Sequence, residues 1–198
     1  MGRILKTMPR ISRRALPVGT VELARFLLGK RLVHESAEGR IAGRIVETEA
    51  YPPGDPTGYA RPGLTTSNAP LFAGRGTAYV RMVYGTCLTL NLAAEAAGVG
   101  AAVLIRALEP TEGIDQMLRF RPASRLVDLA RGPGRVCAAM GIGRELSGAD
   151  LTTHPCLWLE RMGSSATIQV TTRIGLSRDQ HRRLRFIERD SPFVSVPP

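Results

Sequence analysis

Apolar and polar positions divide this chain into short, mixed elements. Thr20 offers an N-cap to Val21–Leu28 and Gly29 a stop, which predicts a short helix. Arg31–His34 and Arg40–Tyr51 read as strands around the polar turn Ser36–Gly39. Pro52-Pro53-Gly54-Asp55-Pro56 interrupts regular structure, and a turn-rich loop runs on to about Asn68. Ala78–Val83 and Cys87–Leu92 are strand-like runs separated by Tyr84-Gly85-Thr86, a hairpin pattern. Beyond Gly98-Val99-Gly100, the run Ala101–Leu108 is apolar except for Arg106 and resembles a buried strand. Glu112–Phe120 and Arg135–Met140 read as helices, the second introduced by Gly132-Pro133-Gly134 and closed by Gly141. Strand-like runs return at Leu157–Arg161, Ile168–Thr172 and Arg185–Ile187. Strands and helices mix without alternating, so the expected class is α+β in one domain, residues 18–198, behind a flexible basic arm over residues 1–17.

Composition agrees with a folded chain: 198 residues, 43% hydrophobic and 22% charged, enough to bury a core. No apolar run reaches the roughly 18 residues of a membrane span, and Lys6 interrupts any secretory core, so no membrane partner is expected. The three cysteines Cys87, Cys137 and Cys156 are odd in number and far apart, unlike a disulfide scaffold or a CxxC site. A reducing compartment is the expectation, the cytoplasm if the source is prokaryotic. Lys plus Arg is 27 against 17 Asp plus Glu, a net charge of +10, and every cation but Lys6 and Lys30 is an arginine. Such a surplus attracts a polyanion, and Arg grips phosphate with paired hydrogen bonds, so nucleic acid is the expected partner.

Three features exceed what packing requires. With period two kept along Arg40–Tyr51, Ile41, Ile45, Glu47, Glu49 and Tyr51 share one face, where acids need partners. The other reading is that the strand has ended and both glutamates are solvated. Arg106 sits in an apolar run, where a guanidinium pairs with an inward carboxylate such as Glu49 or Glu47, or faces water from an edge. All four tyrosines, Tyr51, Tyr59, Tyr79 and Tyr84, fall in one window that opens just after Glu49. Aromatic faces beside a carboxylate suit a planar ligand that is stacked and then reacted upon, and Tyr84 at a hairpin tip suits a wedge between base pairs. His34, His154 and His181 have no ligand spacing, so no metal is expected. Ala73–Gly76 reads as a plain turn, and Arg182-Arg183-Leu184-Arg185 as a solvated or phosphate-facing patch.

Longer motifs bear a family resemblance. Gly43–Tyr51, Ala78–Val80 with Val83-Tyr84-Gly85, Leu90-Asn91, Val103–Pro110, Gly132–Gly134 with Cys137, and Ser191–Ser195 resemble the alkyladenine (3-methyladenine) DNA glycosylases, the mammalian-type monofunctional base-excision enzymes. The similarity runs over roughly residues 20–196. The resemblance implies a central curved, mainly antiparallel sheet with flanking helices and a protruding hairpin. It implies that Glu49 activates the attacking water, with Arg106 and the backbone carbonyl of Ile174 holding it. Tyr51 would stack on the extruded base, with Tyr59, Tyr79, Arg81 and Asn91 around it, and Tyr84 would fill the gap left in the duplex. The enzyme would act as a monomer on duplex DNA containing alkylated or deaminated purines, and would need no cofactor. With only Lys30 near the motif strands, no lyase step is expected. Two positions depart from the family pattern: Tyr59 stands where a histidine is usual, and Arg81 where a second stacking tyrosine often lies. They keep open a catalytically impaired or divergent nucleic-acid-binding protein on the same fold. A hydrolase of free nucleosides fits the chemistry but not the charge.

Overall fold

One long strand organises the molecule: three strands pair along its edges, and the other described strands extend the sheet from those three. The structure, a computed structural model, describes residues 8–162 and 167–197. β1 (Arg31–Ser36) and β2 (Gly39–Tyr51) form an antiparallel hairpin in register from Arg31↔Arg44 to Ser36↔Gly39. On the other edge of β2 lies β5 (Ala102–Glu112), antiparallel from Ala42↔Glu112 to Tyr51↔Ala102. β3 (Ala78–Val83) and β4 (Cys87–Ala93) pair with each other, and β4 pairs with β5. β6 (Leu157–Glu160) extends the sheet beyond β1. β7 (Ile168–Thr171) pairs with β8 (Arg185–Glu188), and β8 joins β2 at Glu47–Glu49 just where β1 has run out. The order is β3-β4-β5-β2-β1-β6 in a curled antiparallel sheet, so the α+β expectation holds.

Among the described residues three helices close over one face: α1 (Thr20–Leu27), α2 (Ile114–Phe120) and α3 (Pro133–Ala139). Leu23, Ala24 and Leu27 of α1 and Val136, Cys137 and Ala139 of α3 are buried against Ile41, Ile45, Ala50, Val103, Ile105 and Leu108. Removing this apolar surface from water is the main stabilising term. Thr48 also faces α1, and its hydroxyl donates to the Ala24 carbonyl at 2.9 Å.

Period two does not survive along β2, which corrects the expected stripe. Ile45 pairs with Leu108 and Glu47 with Ala107, so Val46 is an extra residue on β2; Thr48 then pairs with Ile105, so Arg106 is an extra residue on β5. Each bulge shifts its strand's alternation by one. Ile41 and Ile45 therefore share the helix-covered face with Ala50, while Glu47, Glu49 and Tyr51 are turned off it.

Other boundaries also move. Thr20 is the first helical residue rather than a side-chain cap, because its N–H and hydroxyl both donate to Glu95, at 2.8 and 2.6 Å. β5 continues through Pro110 to Glu112, with Thr111 donating to the Ala42 carbonyl at 3.1 Å and Glu112 paired to Arg31. The following helix accordingly starts at Ile114, after Gly113 at φ 69, where a Cβ would lie 2.5 Å from the Arg40 carbonyl oxygen. Residues 8–17 are no loose arm: Ile11 and Leu16 are buried, Ile11 N–H donates to Leu159, and Arg13 pairs with Asp150 at 2.7 Å. The remainder of the expected arm, residues 1–7, lies outside the described residues. Within the expected surface patch, Arg185 is buried on Glu47 and Arg182 reaches Asp55 at 3.0 Å.

Candidate active site

The paired bulges gather two carboxylates and a guanidinium at one place. Glu47 and Glu49 are both fully buried. Arg106 lies between them, donating from Nε to Glu47 at 3.0 Å and from Nη1 to Glu49 Oε2 at 3.3 Å. Glu47 also accepts Arg185 Nε at 2.7 Å, the Ser195 hydroxyl at 2.8 Å and the Ser195 N–H. Two guanidiniums and a serine saturate that carboxylate, so Glu47 ties the C-terminal segment and β8 to β2.

Glu49 is held differently. Its Oε2 accepts the Tyr51 hydroxyl at 2.8 Å as well as Arg106, while among the described residues Oε1 accepts only the Ile174 backbone N–H, at 2.8 Å. An ionised carboxylate has about four acceptor directions, so Oε1 keeps one to spare. Burial, followed by the neighbouring Glu49 charge, drives the Tyr51 hydroxyl's pKa far above the usual tyrosine value. Tyr51 therefore stays a protonated donor. The Arg173 guanidinium lies 4.7 Å from the centre of its ring.

Arg173 is the residue that sequence reasoning missed. It is buried, and its Nη1 donates to the Ala50 carbonyl at 3.1 Å and to Asp55 Oδ2 at 2.8 Å. Asp55 accepts further from the Thr57 N–H at 2.9 Å and from the Thr57 hydroxyl at 2.5 Å. Burial alone would raise the Asp55 carboxyl, but Thr57 and Arg173 outweigh it and hold it below the ordinary carboxylate range. An arginine directly before Ile174 was the one available signal, and nothing local tied it to Asp55.

A cavity of about 140 Å³ opens beside Glu49. Sites for drug-sized ligands run roughly 300–1,000 Å³, so this one suits a single planar ring system. Tyr51, Tyr59, Asn91, Arg106 and Ile174 line it, with Tyr84 at its mouth. Glu49 has no surface in the cavity; its three partners Tyr51, Arg106 and Ile174 form the adjoining wall. Tyr79 is buried behind Tyr59, ring centroids 6.1 Å apart in an edge-on arrangement. Arg81 lies over the Tyr59 ring at 4.5 Å and donates to the Tyr79 hydroxyl at 3.0 Å, facing an outer groove that it shares with Tyr59 and Arg61. Asn91 is buried, its amide directed at the Tyr79 carbonyl at 3.4 Å.

Tyr84 occupies the tip of the β3–β4 hairpin. It is 90% exposed, and its φ of 53 is left-handed, as is that of Gly85 at 69. A bulky side chain rarely takes that conformation, at a cost of about 1–2 kcal/mol. Arg61 and Arg178 on one flank and Arg135 on the other are exposed beside grooves adjoining the cavity or its hairpin.

Comparison with known proteins gives this arrangement a family. The methylpurine-DNA glycosylase (MPG) model matches residues 15–192. A protein of Paraburkholderia phytofirmans is 52% identical over 185 residues, covering 92% of this chain and 86% of its own. One of Mesorhizobium japonicum is 50% identical over 190 residues (96% and 91%), and one of Methanocella arvoryzae 43% over 193 (95% and 96%). All three are named as 3-methyladenine DNA glycosylases. A match of this length, with both buried glutamates and Arg106 inside it, means that the chain belongs to the methylpurine-DNA glycosylase family.

Proposed function

We propose that the protein is a monofunctional DNA glycosylase that extrudes an altered purine from duplex DNA and hydrolyses its N-glycosidic bond. The observation that carries this reading is Glu49: a buried carboxylate held by Tyr51, Arg106 and Ile174 against the wall of a base-sized cavity.

Breaking an N-glycosidic bond develops positive charge on the sugar, which a nearby carboxylate stabilises. The spare acceptor direction on Oε1 suits a water; as its oxygen bonds to C1′, a proton passes to Glu49 and the glycosidic electron pair leaves with the base. Arg106 keeps Glu49 company as a charge-assisted donor, and the Ile174 backbone borders the same position. Tyr51, locked by its hydroxyl and backed by Arg173, offers a fixed ring for a base to stack on. Extrusion costs a few kcal/mol, least for poorly paired bases, and Tyr84 entering the vacated stack would slow the return. Among the described residues no lysine lines the cavity, which favours a reaction that ends at an abasic site with the strand intact.

The test uses duplexes carrying hypoxanthine, ethenoadenine or 7-methylguanine, scored for base release and for strand breakage before and after alkali. Release with breakage only after alkali, lost at least about a hundredfold in Glu49→Gln, is expected. Full activity in Glu49→Gln would reject the mechanism. Tight duplex binding with no release from any substrate would make the protein a binder on a glycosylase fold.

A further inference from the structure

Resting on the glycosylase reading, we infer that Arg81 is a specificity-determining residue: stacked on Tyr59, it disfavours positively charged, N-alkylated bases relative to uncharged ones. The buried guanidiniums around the cavity are matched, and the unmatched Arg61 and Arg178 beside the outer grooves are solvent-exposed. Arg106 and Arg185 are balanced by Glu47 and Glu49, and Arg173 by Asp55. Arg81 has no carboxylate within salt-bridge distance among the described residues; its polar partner is the neutral Tyr79 hydroxyl. Its guanidinium lies 4.5 Å from the centre of the Tyr59 ring, and Tyr59 is shared between the cavity and the outer groove.

Two effects follow for a base beside Tyr59. A ring face that attracts one cation has its quadrupole already engaged, so less remains for a second. A cationic base in the cavity also meets the like charge of Arg81 through the ring, and arginine cannot shed its proton to relieve it. An uncharged base escapes the repulsion. The Tyr51 wall adds little to this selection, because the Arg173 behind it is paired with Asp55 at 2.8 Å. Arg81 is half-exposed, so solvent weakens the effect without cancelling it. Like charges about 8 Å apart in a partly screened site imply a discrimination of roughly five- to thirtyfold.

Single-turnover release of 7-methylguanine, hypoxanthine and ethenoadenine is measured for the wild type, Arg81→Met and Arg81→Lys, each corrected for spontaneous depurination. Methionine keeps the apolar stem and removes the charge; lysine keeps the charge and removes the planar fork. The ratio of cationic to uncharged release is expected to rise roughly five- to thirtyfold in Arg81→Met and to change less than about threefold in Arg81→Lys. An unchanged ratio in a folded Arg81→Met overturns the inference and leaves the glycosylase reading intact, as does an equal rise in both variants, which would assign selection to shape. Should Arg81→Met not fold, the lysine variant decides, since a rise of fivefold or more there also overturns it. No release of any base by the wild type overturns both readings together.

Discussion

Replacing Asp55 by Asn tests whether the buried Asp55–Arg173 pair holds the Tyr51 wall of the cavity in place. The two side chains are 1% and 0% exposed, and Asp55 is the only carboxylate paired with Arg173 among the described residues. Asparagine preserves volume and an acceptor oxygen but removes the charge, leaving a guanidinium sealed from water with only neutral acceptors, the asparagine's own amide oxygen and the Ala50 carbonyl, among the described residues. Breaking one partner of a buried pair costs about 3–5 kcal/mol, a large share of the 5–15 kcal/mol that holds a domain together. At roughly 2–4 °C per kcal/mol for a chain of this size, the melting temperature should fall about 6–20 °C at pH 7. The double variant with Arg173→Met removes both charges and should recover more than half of the loss. Acidity supplies a second check. The folded Asp55 pKa lies below its unfolded value near 3.9, so its stabilisation is present above that value and is lost as pH falls through the folded one. The difference between wild type and Asp55→Asn should therefore narrow below about pH 4; Asp150, also held low, is common to both and cancels. Calorimetric melts from pH 3 to 7 decide the matter. A loss under 2 °C, or a difference that does not narrow on acidification, would refute the reasoning.

The two buried glutamates should part company on substitution. Glu47→Gln leaves Arg185 with no carboxylate partner among the described residues and Arg106 with Glu49 alone, and should lower the melting temperature by more than Glu49→Gln does, whereas Glu49→Gln should be the one to abolish base release. Tyr84→Gly removes a left-handed tyrosine, so stability should hold or gain about 1 kcal/mol while dissociation from a lesion-bearing duplex quickens; slower dissociation would count against the wedge role. Duplex affinity should fall steeply with salt, and neutralising Arg61 and Arg178 to Gln should flatten the slope of log K against log salt by about 2; an unchanged slope would place the DNA elsewhere.

Much of the candidate site was readable from residue types and spacing because its parts are local. The tyrosine window, the Glu47–Glu49 pair and the solitary Arg106 each stand out within a few residues, and the hairpin around Tyr84 was correctly bounded at its tip. Chain neighbours carry little information about bulges, and there the reading failed: Val46 and Arg106 are extra residues only because each strand meets a partner some sixty positions away. The basic N-terminal stretch misled for the same reason, since Ile11 and Arg13 find Leu159 and Asp150 across the fold.

By itself, the sequence determined that the chain folds as a mixed α+β domain, that it carries an excess of arginine suited to a polyanion, and which residue types stand ready for chemistry. Tertiary structure alone set the partners of the two glutamates, with Glu47 saturated by Arg106, Arg185 and Ser195 and Glu49 lying behind the cavity wall, and it brought Arg173 from beyond β7 to the back of Tyr51. The reason is electrostatic: a buried charge takes its role from the partners that compensate it, and Arg185, Ser195, Ile174 and Asp55 meet their partners only after the strands have paired.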